Sequence, residues 1–313
     1  MSLKKGVGLV LGSGSSRGWA HIGAIEALEE EKIPIDHITG CSIGSYVAAI
    51  YASGGLKSLK KFVLNMNGKK VFSYFDVVFP KSGLLNGTKK LKELFSMHSN
   101  AQLFSDLDIP VMMVATDIDT GRKVVIRSGN LLPAMRATMS MPILFPPVKI
   151  KGRWLADGGL VDPVPVGVAR TIETNIIIAI DLNGDLISKK IIETRSKKPK
   201  NKSNILHNER NELIKKLSNY YESAESLFKK KAHELLKRES ATPNIIETAT
   251  KSLSIMQERI TRINLAAEPP DILIQPRLGE LKMMDFDQVE HVIEEGYISI
   301  KERVDDIKLL LGL

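Results

Sequence analysis

Two glycine-rich turns, each preceded by a short apolar run and each followed by a helical pattern, fill the first 55 residues and constrain the fold most tightly. Val7–Leu11 leads into Gly12-Ser13-Gly14-Ser15-Ser16-Arg17-Gly18, after which Trp19–Glu31 carries Ile22, Ile25 and Leu28 at helical spacing. Pro34 and the run Ile35–Ile38 lead into Gly40-Cys41-Ser42-Ile43-Gly44, and a small-residue helix continues through Ala52 to the stop at Gly54-Gly55. Strand, loop and helix thus occur twice in succession. This repeat predicts an α/β chain with a mainly parallel central sheet and crossover helices, whose ligand sites gather at the carboxyl ends of the strands. Both glycine turns then lie along one edge.

Further along, Pro110–Thr116 and Lys123–Arg127 are β-rich runs joined through Asp119-Thr120-Gly121, and Val148–Ile150 and Arg153–Ala156 are joined at Lys151-Gly152. Both pairs read as hairpins. Leu131–Met139 between them reads as a helix, Asn175–Asp181 as a buried strand and Asp271–Gln275 as the last strand. Two apolar stripes, Leu206 to Leu235 and Ile246 to Ile263, predict a helical insertion, with Lys197–Lys202 as a loop. Asp287 with Glu290 forms a capping box ahead of a C-terminal helix. The expected organisation is a catalytic core over 1–183, a basic insertion over 184–268, and a strand and helix over 269–313 that complete the core.

Charge marks the insertion. Residues 185–268 hold 18 Lys and Arg against 11 Asp and Glu, a surplus of seven in a chain whose net charge is +8. A basic segment on a neutral body suggests local docking to an anionic partner such as a membrane surface, with a solvated helical face as the plain alternative. Nucleic acid is not expected, and the oligomeric state is left open. The longest aliphatic run, Ile176–Ile180, falls far short of the ~20 residues that span a bilayer. Met1–Leu11 lacks the features of a secretory signal, so the expected compartment is the cytoplasm. The single cysteine, Cys41, excludes internal disulfides and cysteine-clustered metal sites, and no cofactor is expected.

Gly40-Cys41-Ser42-Ile43-Gly44 is a G-x-S-x-G elbow between a strand and a helix, an arrangement that exposes a serine oxygen on a tight turn. Gly40 and Gly44 permit the turn and the close approach of another strand. A serine needs a base. The six histidines lie at 21, 37, 98, 207, 233 and 291. One strand ahead of the elbow is fewer than an α/β-hydrolase carries, so a Ser-His-Asp triad has little support while remaining an alternative. The other candidate base is Asp157 in Asp157-Gly158-Gly159, at the end of a hairpin strand, although such a sequence is by itself an ordinary turn. Gly12 to Gly18 offers successive backbone amides ahead of a helix, suited to an oxyanion or a phosphate.

These three motifs, in this order, resemble the patatin-like phospholipase family. The likeness runs through Gly12–Gly23, the elbow, Met139–Pro147, Asp157–Gly159 and Pro270–Gly279, and is greatest to small bacterial members related to the esterase domain of neuropathy target esterase. The resemblance implies a three-layer α/β/α fold and a serine lipid acyl hydrolase with a Ser-Asp dyad. Ser42 would be the nucleophile and Asp157 the base. Amides among Gly12, Ser13, Gly14 and Ser15 would form the oxyanion hole, with Arg17, Gly18, Gly40, Gly44, Gly158 and Gly159 supporting the motifs. The family's three consecutive glycines are here Gly-Ser-Gly, which leaves open which amides donate. Arg17 either fixes the loop or steers a lipid phosphate. Met139, Met141, Ile143, Leu144 and Phe145 are candidates for an acyl pocket or for core packing. Two rivals remain: a nucleotide-binding protein, disfavoured because Arg17 replaces the third glycine of G-x-G-x-x-G, and a silent scaffold that binds a partner through its basic helices.

Overall fold

The computed structural model describes residues 6–65, 88–184, 245–281 and 288–313. Eight strands form one sheet: β1 (Val7–Leu11), β2 (Ile35–Cys41), β3 (Val111–Asp117), β4 (Lys123–Ile126), β5 (Val148–Ile150), β6 (Arg153–Asp157), β7 (Ile176–Ile180) and β8 (Ile272–Ile274). Five of them are parallel in the order β3-β2-β1-β7-β8. Crossover helices require such a sheet to be covered on both faces. Accordingly every residue of β1, β3 and β7 is buried.

Nine helices accompany the sheet among the described residues. They are α1 (Ala20–Glu30), α2 (Ile43–Ala52), α3 (Leu56–Leu64), α4 (Thr88–Ser96), α5 (Leu131–Thr138), α6 (Val166–Ala169), α7 (Ile245–Ala267), α8 (Val289–Lys301) and α9 (Val304–Leu311). Leu9, Leu11, Ile22, Ile25, Val47 and Ile293 belong to the large core on one face, joining α1, α2 and α8 to the strands. Val10, Ile177, Ala179, Val164 and Val166 form a second cluster on the other face, against which Leu265 of α7 packs. The three-layer α/β/α expectation therefore holds.

Local differences from the sequence reading have simple causes. The first helix begins with a 3-10 turn, Ser15–Trp19, because the glycine loop tightens before α1. The C-terminal helix is two helices, α8 and α9, with Arg303 as the N-cap of the second. Glu290 lies in the first turn of α8, whereas Asp287 of the capping box, the stripe from Leu206 to Leu235 and the loop Lys197–Lys202 lie outside the described residues. One compact unit includes the described residues up to 184 and from Lys251 onward; a second, Ile191–Thr250, includes 245–250. Thus most of α7, expected within the insertion, belongs to the core unit, as its buried Gln257, Glu258 and Thr261 also indicate. No helix among the described residues is long and apolar enough to cross a membrane.

Candidate active site

The site grows from an unusual feature of β3. On one side β3 pairs with β4, Val114 opposite Val125 and Ala115 opposite Val124. Its other side is shared end to end. Parallel β2 occupies it up to Cys41 opposite Val114, and antiparallel β6 takes over at the next residue with Asp157 opposite Ala115. The carboxyl end of β6 therefore runs directly into the carboxyl end of β2, and residues 115 apart in sequence become neighbours. The Ser42 Oγ donates a hydrogen bond to Asp157 Oδ2 at 2.7 Å.

Ser42 follows β2 with φ 55 and ψ −124, a left-handed conformation that costs a non-glycine residue ~1–3 kcal/mol and lifts the side chain off the sheet. The elbow tolerates it because neighbouring groups hold it. The Ser42 amide donates to Thr138 Oγ1 at 2.9 Å, and the Thr138 hydroxyl donates to the Val114 carbonyl. A side chain at Gly44 would meet the Leu11 carbonyl oxygen at 2.1 Å, and one at Gly158 would meet the Val114 carbonyl oxygen at 2.2 Å. At both positions the backbones approach too closely for any other residue.

Asp157 is 3% exposed, and burial pushes its carboxyl up to about 6, against the opposing pull of hydrogen bonds from Ser42 and from the Gly159 amide to Oδ1 at 2.8 Å. Its backbone is fixed too. The Asp157 amide donates to the Ser140 carbonyl at 3.0 Å, and Thr116 Oγ1 donates to the Asp157 carbonyl at 2.8 Å. Cys41 beside them is buried with its thiol pushed upward by burial, consistent with packing.

The glycine loop differs from expectation in one respect. The amides of Gly12 and Ser13, counted among the oxyanion donors, are already bonded to the carbonyls of Ile180 at 3.1 Å and Pro163 at 2.9 Å. The first continues the pairing of β1 with β7, the second ties the loop to the segment ahead of α6, and both anchor the loop instead. Arg17 is 2% exposed, so it cannot meet a lipid phosphate from solvent. Its Nε donates to the Gly14 carbonyl at 3.3 Å and its guanidinium also reaches the Leu182 carbonyl at 3.5 Å. Burial lowers its pKa to about 10, offset by the charge of Asp181, and the group stays charged at neutral pH. Asp181 in turn accepts from the Asn183 amide at 2.9 Å and from Gln275 Nε2 at 3.0 Å, and Asn183 Nδ2 donates to the Ser13 carbonyl at 3.0 Å. A buried polar brace thus lies behind the loop.

Of the histidines, His21 is fully buried, donates from Nε2 to the Gly12 carbonyl at 2.8 Å and is held to about 4 by burial. His98 bonds Ser58 at 2.8 Å, His37 is buried and His291 is exposed; His207 and His233 lie outside the described residues. Of the acyl-pocket candidates, Met139, Met141, Leu144 and Phe145 are half-buried and Ile143 is exposed with φ 75, while Arg136 lies over the Phe145 ring. A cavity of about 520 Å³ lined by Ser53, His98, Asn100 and Asp106 includes neither Ser42 nor Asp157. The sequence reading assigned no role to Thr138, Thr116, Ser140 or Asp181; only Ser140 falls in a stretch that carries the resemblance, and their contacts exist only once the chain is folded.

The fold and this cluster thus set a buried carboxylate against a half-buried, strained serine beside a glycine loop, at the carboxyl end of the parallel strands of an α/β sheet. The family model for patatin-like phospholipases matches residues 9–170, and the chain belongs to that family, a class of lipid ester hydrolases. Among its relatives, an NTE family protein of Mycobacterium tuberculosis is 26% identical over 93% of this chain and 89% of its own length. Lysophospholipase NTE1 of Pyricularia oryzae is 37% identical over 57% of this chain, which corresponds to 12% of that much longer protein. Patatin-like phospholipase domain-containing protein 6 of Mus musculus is 32% identical over 56% of this chain and 13% of its own.

Proposed function

We propose that the chain is a serine acyl hydrolase of phospholipids or lysophospholipids that works through a Ser42-Asp157 dyad and an acyl-enzyme. The observation that carries this reading is the 2.7 Å hydrogen bond from Ser42 Oγ to Asp157 Oδ2. As Ser42 Oγ attacks the ester carbonyl, its proton passes to Asp157 Oδ2. The amides of Gly14 and Ser15 are the remaining candidates for the developing oxyanion, since those of Gly12 and Ser13 are engaged and that of Ser42 is bonded to Thr138. Collapse of the tetrahedral intermediate breaks the ester C–O bond, and the leaving alkoxide takes the proton from Asp157. Asp157 then accepts a proton from water as its oxygen attacks the acyl carbonyl, and it returns that proton to Ser42 Oγ as the Oγ–C bond breaks and the fatty acid leaves.

An aspartate is a weak base toward a serine, but burial narrows the gap by raising Asp157 to about 6. The rest of the rate enhancement must come from positioning and the oxyanion donors, each donor contributing ~2.7–4 kcal/mol. The relative named lysophospholipase favours a lysophospholipid among the possible substrates. A cytoplasmic enzyme acting at the membrane surface fits such a substrate. The test combines fluorophosphonate labelling with nitrophenyl ester hydrolysis. Ser42→Ala is expected to abolish labelling, and both Ser42→Ala and Asp157→Asn to lower kcat by roughly 1,000-fold or more. A folded variant that keeps wild-type turnover overturns the dyad, and an unlabelled wild type supports the silent scaffold.

A further inference from the structure

The chemistry at Ser42 requires an ester to arrive at the carboxyl ends of the parallel strands, and the segments that extend past that end have a composition of their own. From Asp157 opposite Ala115, β6 passes Ala156 opposite Thr116 and Leu155 opposite Asp117, and the Ile118 amide then bonds the Trp154 carbonyl at 3.0 Å. At about 3.4 Å per residue, Trp154 stands ~10 Å beyond Asp157, and the Lys151-Gly152 turn stands farther out. Side chains alternate along the strand. Leu155 turns into the cluster that includes Ala137 of α5, while Trp154 and its cross-strand partner Lys149 share the opposite face. Trp154 is 42% exposed and Ile118 46%.

The charge around these two apolar groups has one dominant sign. Lys149 Nζ lies 5.5 Å from the centre of the Trp154 ring, and Arg122, Lys151 and Arg153 are exposed at the two turns. Among the described residues no carboxylate is paired with any of these four cations, whereas neighbouring Lys123 is held by Asp162 at 2.8 Å. Asp119 is the single exposed acid of the two turns. An aromatic group with a polar edge, an isoleucine and a ring of unpaired cations is the composition that suits a membrane interface.

We infer that this end of the sheet docks on an anionic phospholipid bilayer. Trp154 and Ile118 enter the headgroup layer, and Arg122, Lys149, Lys151 and Arg153 lie against lipid phosphates. The inference rests on the lipid hydrolase reading and names the surface that brings its site to the substrate. This surface lies outside the basic segment 185–268, where the sequence alone puts the charge surplus. Excess positive charge selects anionic over zwitterionic headgroups, with each basic residue near the surface strengthening partition roughly fivefold.

The full chain carries its own probe, because Trp154 is one of two tryptophans and the other, Trp19, is buried. Vesicles of phosphatidylglycerol with phosphatidylcholine are expected to shift the emission of Trp154 to the blue and to sediment the protein, and phosphatidylcholine alone to do neither. Salt at ~1 M, where the Debye length is ~3 Å, is expected to reverse both effects. Lys149→Gln, Lys151→Gln and Arg153→Gln together are expected to weaken partition roughly 100-fold. No binding, binding unaffected by the triple substitution, or sedimentation with unmoved Trp154 emission would each overturn the inference. So would a blue shift that grows with protein concentration in the absence of lipid, which assigns the face to a second copy of the chain. Nitrophenyl ester hydrolysis by the same preparation separates the two readings. Turnover without a lipid-dependent shift removes the docking surface alone, and a shift without turnover removes the hydrolase reading alone.

Discussion

The parallel strands and the antiparallel extension build one site by different means. In β1 and β7 all five residues are buried, and the backbone just beyond β1 is committed to fixed partners, the carbonyls of Ile180 and Pro163. In β4 and β5 exposed residues alternate with half-buried ones, so one face packs and the other meets solvent. Parallel strands covered by helices tolerate little adjustment, which suits a strained serine and an anchored glycine loop. The antiparallel extension brings a carboxylate in from outside the parallel order, because β6 takes over the edge of β3 where β2 stops. The difference is a division of labour: rigidity comes from the buried half, and Asp157 and the exposed rim from the other.

The sharpest way to break this contrast is to remove the brace behind the glycine loop. Arg17→Met leaves Asp181 buried without its compensating cation. It also leaves the Gly14 and Leu182 carbonyls unsatisfied at ~1–3 kcal/mol each, so chemical denaturation should show a loss of about 2–6 kcal/mol, of which adding Asp181→Asn recovers only the part due to the buried charge. Val125→Thr on the exposed face of β4 should change stability by less than about 0.5 kcal/mol. Equal losses from the two substitutions would remove the distinction between the halves.

The junction of the two halves makes a prediction about pH. The Asp157 carboxyl, ordinarily at 3.8, sits at about 6 in the folded chain because burial penalises its charge. Between these values the folded state holds a proton that the unfolded state has lost, so this group adds stability as pH falls and costs about 3 kcal/mol at neutral pH. His21 acts oppositely. Depressed from 6.5 to about 4, it contributes stability above 6.5 that is lost as pH falls toward 4. In the wild type the two partly offset one another. Asp157→Asn should therefore raise stability at pH 7 by up to about 3 kcal/mol while abolishing turnover, and should expose a loss of stability on acidification from 6.5 to 4. In the wild type kcat/KM should fall about tenfold per pH unit below about 6, as the base becomes protonated. A flat acid limb, or an Asn variant less stable at pH 7, would show that Asp157 is not a buried, costly charge.

How much of this was readable in the sequence follows from how local each feature is. The elbow around Ser42 and the loop around Gly14 are written in turn residues that fix their own geometry, and the hairpin turns at Asp119–Gly121 and Lys151-Gly152 are local in the same way. The alternation Leu155 inside, Trp154 outside is weak over so short a strand. The end-to-end sharing of β3 by β2 and β6 is not local at all, and no residue pattern announces it. For the same reason the commitment of the Gly12 and Ser13 amides could not be foreseen: their partners, Ile180 and Pro163, lie more than a hundred residues away. Asp157 stood out through its motif, whereas Asp181, equally buried, had no motif to mark it.

Thr138 gives the smallest effect and the finest test, because it ties the elbow to β3 with one oxygen. Its Oγ1 accepts from the Ser42 amide and donates to the Val114 carbonyl, and Ser45 Oγ lies 3.3 Å away. Thr138→Val keeps the shape and removes both bonds, leaving an amide and a carbonyl unsatisfied, for a loss of about 1–3 kcal/mol. If the strain at Ser42 is held by this hydroxyl, kcat should fall with little change in KM, and Thr138→Ser should restore both stability and kcat. The acid limb should stay near pH 6, because Thr138 does not touch the Asp157 carboxyl. A different outcome is equally informative. If kcat rises in Thr138→Val, the freed Ser42 amide has joined the oxyanion donors, and the threonine restrains the nucleophile's backbone at the expense of catalysis.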